Sequence, residues 1–166
     1  MSRKAHPADV RWTDLPQTYR AEVLPQWLDE MGHMNVMWYT HLFSQGVHGF
    51  FALFGFTPEY MAANTTGTFA LELHVRYLSE VRLGEKIGLY SRALDRSAKR
   101  LHYIQFLVNE DRGVLSATGE LVSAHVDLAI RRQSPLPESI TTRYDQLLAE
   151  HRALDWAAPI CHVMRA

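Results

Sequence analysis

The chain lacks the features that mark exported or disulfide-bonded proteins. A single cysteine, Cys161, among 166 residues excludes an internal disulfide and a paired-cysteine metal site. Residues 1–15 contain no apolar run, so they resemble neither a signal peptide nor a stop-transfer helix. The chain has no marked excess of positive or negative charge, since it contains 17 Lys and Arg and 18 Asp and Glu residues. The sequence therefore predicts a cytoplasmic protein that binds neither nucleic acid nor a membrane.

What is present suffices for one ordinary domain. With 47% hydrophobic residues, a chain of 166 residues can bury one core but not two large ones. Residues 1–16 are polar and contain two prolines, which predicts an N-terminal arm. We expect the domain over residues 17–135 and a C-terminal extension over 136–166, in which 138–154 is predicted to form a surface helix.

The spacing of apolar residues distinguishes the strands of the domain from its helix. Alternation of apolar and polar residues predicts strands at 18–24, 69–77, 86–94, 100–109 and 114–127. The stretch from Val36 to Phe54 is instead apolar around most of a helix, and Asn35 before it is a suitable N-cap, so we expect a buried helix. The pattern predicts an α+β fold, a curved antiparallel sheet wrapped around one long central helix. The unpaired edge strand of such a sheet predicts a homodimer or a dimer of dimers.

Several other residues have structural interpretations. Gly119, inside the last predicted strand, indicates a bulge or the close approach of another backbone. His41 and His48 share a helix face but lack a third ligand at helical spacing, so no metal site is expected there. Polar and aromatic strand residues are predicted to face solvent or a dimer partner: Tyr90, Arg92, His102 and Tyr103.

The loop before the long helix carries the candidate chemistry. Asp29 and Glu30 stand with Gly32 and His33 just ahead of the helix N-terminus. Free backbone N–H groups at such an end can bind an oxygen that carries developing negative charge. A loop carboxylate near the same carbonyl can attack it or activate water. This combination suits acyl transfer, although a capping role for Asp29 and a turn at Gly32 would also explain these residues.

The motif D-E-M-G-H-M-N at 29–35 resembles that of hotdog-fold acyl-CoA thioesterases of the 4-hydroxybenzoyl-CoA thioesterase-like family. The resemblance extends over roughly residues 18–135, since strand, motif, apolar helix and closing meander follow in the family's order. It includes H-V-R-Y-L at 74–78 and R-L-G-E-K at 82–86.

The resemblance implies a hotdog fold and hydrolysis of an acyl-CoA thioester without a cofactor. It implies that Asp29 is the nucleophile or general base and that the backbone N–H at Val36 polarises the thioester carbonyl. Gly32, His33 and Asn35 match the motif and would shape the loop, cap the helix or hold water.

Within this family, the chain is most similar to thioesterase domains associated with carnitine dehydrogenase, which act on betainyl-CoA. The similarity lies in W-L-D-E-M-G-H-M-N-V at 27–36, A-K-R-L-H at 98–102 and H-V-D-L-A-x-R-R at 125–132. It implies a short or quaternary-ammonium acyl group, which an aromatic lining would attract through cation–π contacts.

Two groups of residues are candidates for substrate binding. The aromatic group either lines an acyl pocket or packs in the core, and consists of Trp27, Trp38, Tyr39 and Phe43. The basic group either binds the phosphates of coenzyme A or forms a solvated rim, and consists of Lys99, Arg100, Arg131 and Arg132.

Two other functions stay open at the level of sequence. A hotdog dehydratase would need a histidine and an acid from different elements, for which His33 and Glu72 are available. A non-catalytic protein could hold an acyl-CoA or another apolar ligand in the same groove. The carboxylate of Asp29 beside Gly32 favours the enzyme, because a binding protein has no need of a carboxylate near a thioester carbonyl.

Overall fold

Strand pairing confirms the predicted meander. The computed structural model describes residues 5–166, so residues 1–4 of the predicted arm lie outside the described residues. The strands are β1 Gln17–Glu22, β2 Thr66–Tyr77, β3 Lys86–Arg96, β4 Arg100–Asn109, β5 Val114–Asp127 and β6 Arg132–Gln133. They form one antiparallel sheet in the order β1-β3-β4-β5-β2, and the short β6 pairs with the end of β5. The predicted α+β class with a sheet around one long helix is confirmed.

The central helix α1, Val36–Ala52, begins where the sequence predicts. The side-chain oxygen of Asn35 accepts a hydrogen bond from the Met37 N–H at 3.0 Å, as an N-cap does. One face of α1 packs on the sheet and buries Leu42, Phe43, Phe50 and Phe51, among others.

Burial of α1 is one-sided in a single chain. Val36 and Met37 are 58% and 62% exposed, and His41, Ser44 and His48 continue the exposed face along the helix. The expectation of a helix buried on all sides is therefore wrong for a single chain, because the sheet covers only one side of α1.

Within residues 5–166, no helix is both long enough and apolar enough to span a membrane.

Aromatic residues and a C-terminal helix cover the second half of α1. The helix α2, Pro58–Asn64, leads into β2, and α3, Glu138–Arg152, packs over the far end of the sheet. Tyr144 of α3 contacts Phe50 and Phe54 and donates a hydrogen bond to the His102 carbonyl at 3.0 Å. The predicted surface helix thus contributes a buried face to the core, which includes Ile140 and Leu148.

We call the sheet face that contacts α1 the inner face and the opposite one the outer face. The arm and the C-terminal tail, residues 153–166, cover much of the outer face, where Val10, Leu15 and Trp156 pack against Ile104 and Phe106. This cover corrects one prediction about strand residues. Arg92 and His102 on the outer face are 7% and 5% exposed, so they do not face solvent. Tyr103 is 0% exposed for a different reason, because it packs on the inner face against Phe50 and Phe51 of α1.

Gly119 lies on the inner face, where it meets a side chain instead of another backbone. A Cβ atom at this position would stand 2.9 Å from ring atoms of Phe43. The absence of a side chain thus lets α1 approach β5 closely, and the bulges in β5 pairing lie elsewhere.

Candidate active site

A tight loop precedes α1 and fixes the relative positions of Asp29 and His33. Its ends pair as an isolated bridge between Leu28 and Met34, and the Asp29 N–H donates to the His33 carbonyl at 2.9 Å. Gly32 has φ of 82°, a left-handed conformation that glycine adopts without strain, and its N–H donates to the Asp29 carbonyl at 3.1 Å. The predicted turn at Gly32 is present, and it folds the loop back so that Asp29 and His33 face each other.

The carboxylate of Asp29 is held by its own loop. Its Oδ1 accepts the Met31 N–H at 2.9 Å, and its Oδ2 lies 3.2 Å from Nδ1 of His33. The Asp29 side chain is 18% exposed and that of His33 is 26% exposed, so both are still reachable from solvent. This pairing restricts the carboxylate to few orientations, which a nucleophile or general base requires.

The N-terminus of α1 opens beside this carboxylate. Asn35 accepts two of the first helical N–H groups, from Met37 through its side chain and from Trp38 through its carbonyl. Among residues 5–166, the Val36 N–H has no hydrogen-bond partner. A groove of about 670 Å³ is lined by Asp29 and Asn35 together with Leu28, Glu30 and Met31. The groove thus joins the carboxylate of Asp29 to the N-cap residue of α1, which directly precedes Val36.

The four candidate aromatic residues divide into two pairs. Trp27 stacks on Trp38 with ring centroids 5.0 Å apart, and Trp38 is the more exposed member. Tyr39 and Phe43 are buried in the core under the loop, and Tyr39 packs edge-on against Tyr77. Burial, together with Tyr77, raises the pKa of Tyr39 to about 12, so its hydroxyl stays protonated.

The basic candidates lie at the other end of the sheet. Lys99 and Arg100 follow β3, whereas the loop of Asp29 pairs near Arg82, just before β3 begins. An eleven-residue strand is about 35 Å long, so one chain does not bring these cations to Asp29. Arg131 and Arg132 stand at the same end as Lys99, and the Arg131 guanidinium lies over Phe69 at 5.9 Å.

A second groove was not predicted from the sequence. It has a volume of about 580 Å³ and lies between α1, α2 and the start of β2, where Val47, His48, Met61, Thr66 and Leu128 line it. These residues come from four separate segments, so no local spacing could have indicated this groove.

The dehydratase alternative would need His33 to act together with Glu72. In the structure His33 is paired with Asp29 instead.

Comparison with known proteins decides the family. The family model of the thioesterase-like superfamily matches residues 23–144. The chain belongs to this family. It is a thioester hydrolase, and the hotdog fold and acyl-CoA thioesterase activity predicted from the sequence are confirmed.

Three relatives show how far the similarity extends. The betainyl-CoA thioesterase of Pseudomonas aeruginosa is 31% identical over 137 residues, which cover 82% of this chain and 86% of that protein. The L-carnitine dehydrogenase/betainyl-CoA thioesterase of Agrobacterium fabrum is 30% identical over 80% of this chain, which spans 27% of that longer protein. A hypothetical protein from Staphylococcus aureus, solved in complex with CoA, superposes with a TM-score of 0.80 at 26% identity, covering 92% of this chain and 96% of that one.

Proposed function

We propose that Asp29 and the Val36 N–H together cleave the thioester bond of an acyl-CoA. The observation that carries this proposal is the carboxylate of Asp29 in one groove with the open N-terminus of α1. The N–H and the helix dipole stabilise the oxyanion as the carbonyl is attacked. Asp29 either deprotonates a water molecule that attacks the carbonyl, or attacks it directly to form a mixed anhydride that water then hydrolyses. In both routes the C–S bond breaks and coenzyme A leaves as the thiolate. His33 and Gly32 position the carboxylate, and no cofactor enters the reaction.

The proposed active form is a homodimer, or a dimer of such dimers. The edge strand β2 exposes Phe69, Leu71 and Leu73 to about 40% each, and long apolar edges favour pairing with another strand. A two-fold axis at the middle of β2 would place the Tyr77 end of one copy beside the Thr66 end of the other. The Asp29 loop is at the first end and the second groove at the other, so each site would combine both copies.

The dimer proposal has a direct test. Light scattering of the wild type should give twice the chain mass or a multiple of it. Leu73→Lys should shift the protein toward monomer and lower thioesterase activity, because it puts a charge on the pairing edge. Val163→Lys, at a residue 80% exposed on the tail, is the matched control and should change neither. A fully active monomer would contradict the proposal.

The basic end of the sheet would then bind the phosphates of coenzyme A across the dimer. Lys99 and Arg100 lie far from Asp29 in their own chain, but the two-fold arrangement brings the far end of the second copy toward it. Arg100→Gln should therefore raise KM for the CoA thioester and leave kcat nearly unchanged.

We also propose the cytoplasm as the compartment, since the chain has no cysteine pair that needs oxidation.

For the acyl group we propose betainyl, a small quaternary ammonium. The half-buried indole of Trp38, stacked on Trp27, gives the site an aromatic face, and the carboxylates of Asp29 and Glu30 lie on the adjoining groove. A quaternary ammonium over an aromatic ring gains about 0.5–2 kcal/mol, or roughly 2- to 30-fold in affinity. The named activity of the Pseudomonas aeruginosa relative supports the same choice.

A matched pair of substrates isolates the role of the charge. Betainyl-CoA and tert-butylacetyl-CoA have the same shape and differ only in whether the central atom is a cationic nitrogen or a carbon. Because the ammonium also activates the neighbouring carbonyl, the comparison uses KM, which we expect to be about tenfold lower for betainyl-CoA. Trp38→Leu should reduce that preference and Trp38→Phe should retain part of it, with Trp12→Leu on the arm as control. Equal KM values for the two substrates would refute the betainyl proposal and leave the thioesterase assignment intact.

A further inference from the structure

A polar cluster lies on the outer face, on elements other than the loop of Asp29. Glu120 in the middle of β5 is only 2% exposed. Its Oε1 lies 2.8 Å from Nε2 of His102, and its Oε2 accepts the Cys161 N–H at 2.6 Å. A buried carboxylate without such partners would cost several kcal/mol, so these contacts hold Glu120 in one orientation.

Two further donor groups converge on this carboxylate. His74 of β2 is the register partner of Glu120, and Cys161 belongs to the tail that crosses the outer face. One ligand atom each from His74, Glu120 and Cys161 all lie within 4.8 Å of one another. A nitrogen, an oxygen and a sulfur donor from three separate elements thus meet at one point.

The positions of these donors are fixed by unrelated contacts. Antiparallel pairing of β2 with β5 sets His74 opposite Glu120. The tail is anchored ahead of Cys161, where Trp156 packs on Phe106 and lies under the Arg92 guanidinium at 4.3 Å. The cluster is therefore built before any ion arrives.

We propose that His74, Glu120 and Cys161 bind Zn²⁺, with His102 as the residue that orients the carboxylate. Zn²⁺ accepts nitrogen, oxygen and sulfur ligands in tetrahedral geometry, and a water molecule can take the fourth position. The carboxylate and the thiolate together cancel the charge of the ion. A hydrogen bond from a histidine to a ligating carboxylate is a common support for such ligands.

Cys161 approaches Glu120 through both its backbone N–H and its side chain. Metal binding would replace the hydrogen bond of the Cys161 side chain, and the thiol would release its proton to solvent. The ion would then link the tail to β2 and β5.

The single cysteine makes the site easy to test. Tag-free protein, stripped with a chelator, should bind one Zn²⁺ per chain and protect Cys161 from a thiol reagent. Co²⁺ should give a near-ultraviolet thiolate-to-metal band and the visible bands of a tetrahedral site. Zn²⁺ should also slow proteolysis of the tail, while kcat on the thioester substrate stays within twofold because the cluster and Asp29 lie on different elements.

Variants separate the ligands from their surroundings. Cys161→Ser should abolish the thiolate band, and His74→Ala should weaken Zn²⁺ binding at least tenfold. His162→Asn changes an exposed histidine next to Cys161 and should leave binding unchanged. Absence of a thiolate band in the folded wild type, or Zn²⁺ binding that Cys161→Ser and His74→Ala leave intact, would overturn the proposal. Neither outcome bears on the thioesterase mechanism.

Discussion

The two faces of the sheet are buried in different ways. The inner face is covered by α1 with aliphatic and aromatic side chains, and Gly119 gives Phe43 the room it needs. The outer face carries Arg92, His102 and Glu120 at 7% exposure or less, each satisfied by hydrogen bonds. Apolar contacts tolerate many partners, whereas a buried charge needs particular ones. The outer face therefore depends on where the tail and α3 lie.

Arg92 illustrates this dependence. Its guanidinium donates to the carbonyls of Trp156 at 2.9 Å and His151 at 2.8 Å, at the junction of α3 and the tail. Burial lowers the pKa of Arg92, because it removes water from around the charge. Loss of the tail would thus expose a charge and the apolar residues around it at the same time.

The largest expected effect lies at the inner face, at the N-terminal end of α1. Asp29→Asn keeps the size of the side chain but removes its charge and basicity, so kcat should fall at least about 100-fold. Glu30→Gln, one residue away and exposed, is the matched control and should have a small effect on kcat. Circular dichroism checks that both variants fold. Near wild-type kcat for Asp29→Asn would remove this residue from the reaction.

The next effect concerns His151, where α3 meets β3. The imidazole accepts the Ala93 N–H at 2.8 Å, and burial, with the nearby Arg92, lowers its pKa from 6.5 to about 4. The unfolded chain then binds a proton below pH 6.5 that the folded chain takes up only near pH 4. The free energy of unfolding should therefore fall as the pH drops from 6.5 to 4, by on the order of 2 kcal/mol at pH 5.

Urea titrations at pH 8 and pH 5 check this expectation. His151→Gln keeps an acceptor for the Ala93 N–H but does not titrate, so its stability should change less between the two values. An equal pH dependence in the two proteins would place the titration on another group.

The last comparison is between two residues of β5, one at a packing contact and one with a buried hydroxyl. Gly119→Ala would push a Cβ to 2.9 Å from the buried Phe43 ring and should lower the free energy of unfolding by about 1–3 kcal/mol. Ser116 has a buried hydroxyl without a hydrogen-bond partner among the described residues, so Ser116→Ala should be neutral or slightly stabilising. Thermal unfolding of the two variants measures both. A larger loss for Ser116→Ala would mean that its hydroxyl has a partner, such as bound water.

Prediction from the sequence succeeded where the relevant contacts are local. The N-cap at Asn35, the turn at Gly32 and the five long strands follow from residues a few positions apart. It failed for His102 and Arg92, because their partners are 18 and 64 residues away, in Glu120 and Trp156. The second groove and the Zn²⁺ ligands also join distant segments, so no local pattern signals them.

The sequence by itself determined the start of α1, the five long strands and the chemistry of the loop, because hydrophobic period, capping and turn residues act over one or two helical turns. It also determined that a carboxylate precedes the N-terminus of α1. It did not reveal the short elements α2 and β6. Only the tertiary structure decided which faces are buried, since that depends on how the tail and α3 close on the sheet. The same long-range packing placed His74, Glu120 and Cys161 together and left β2 as an open edge.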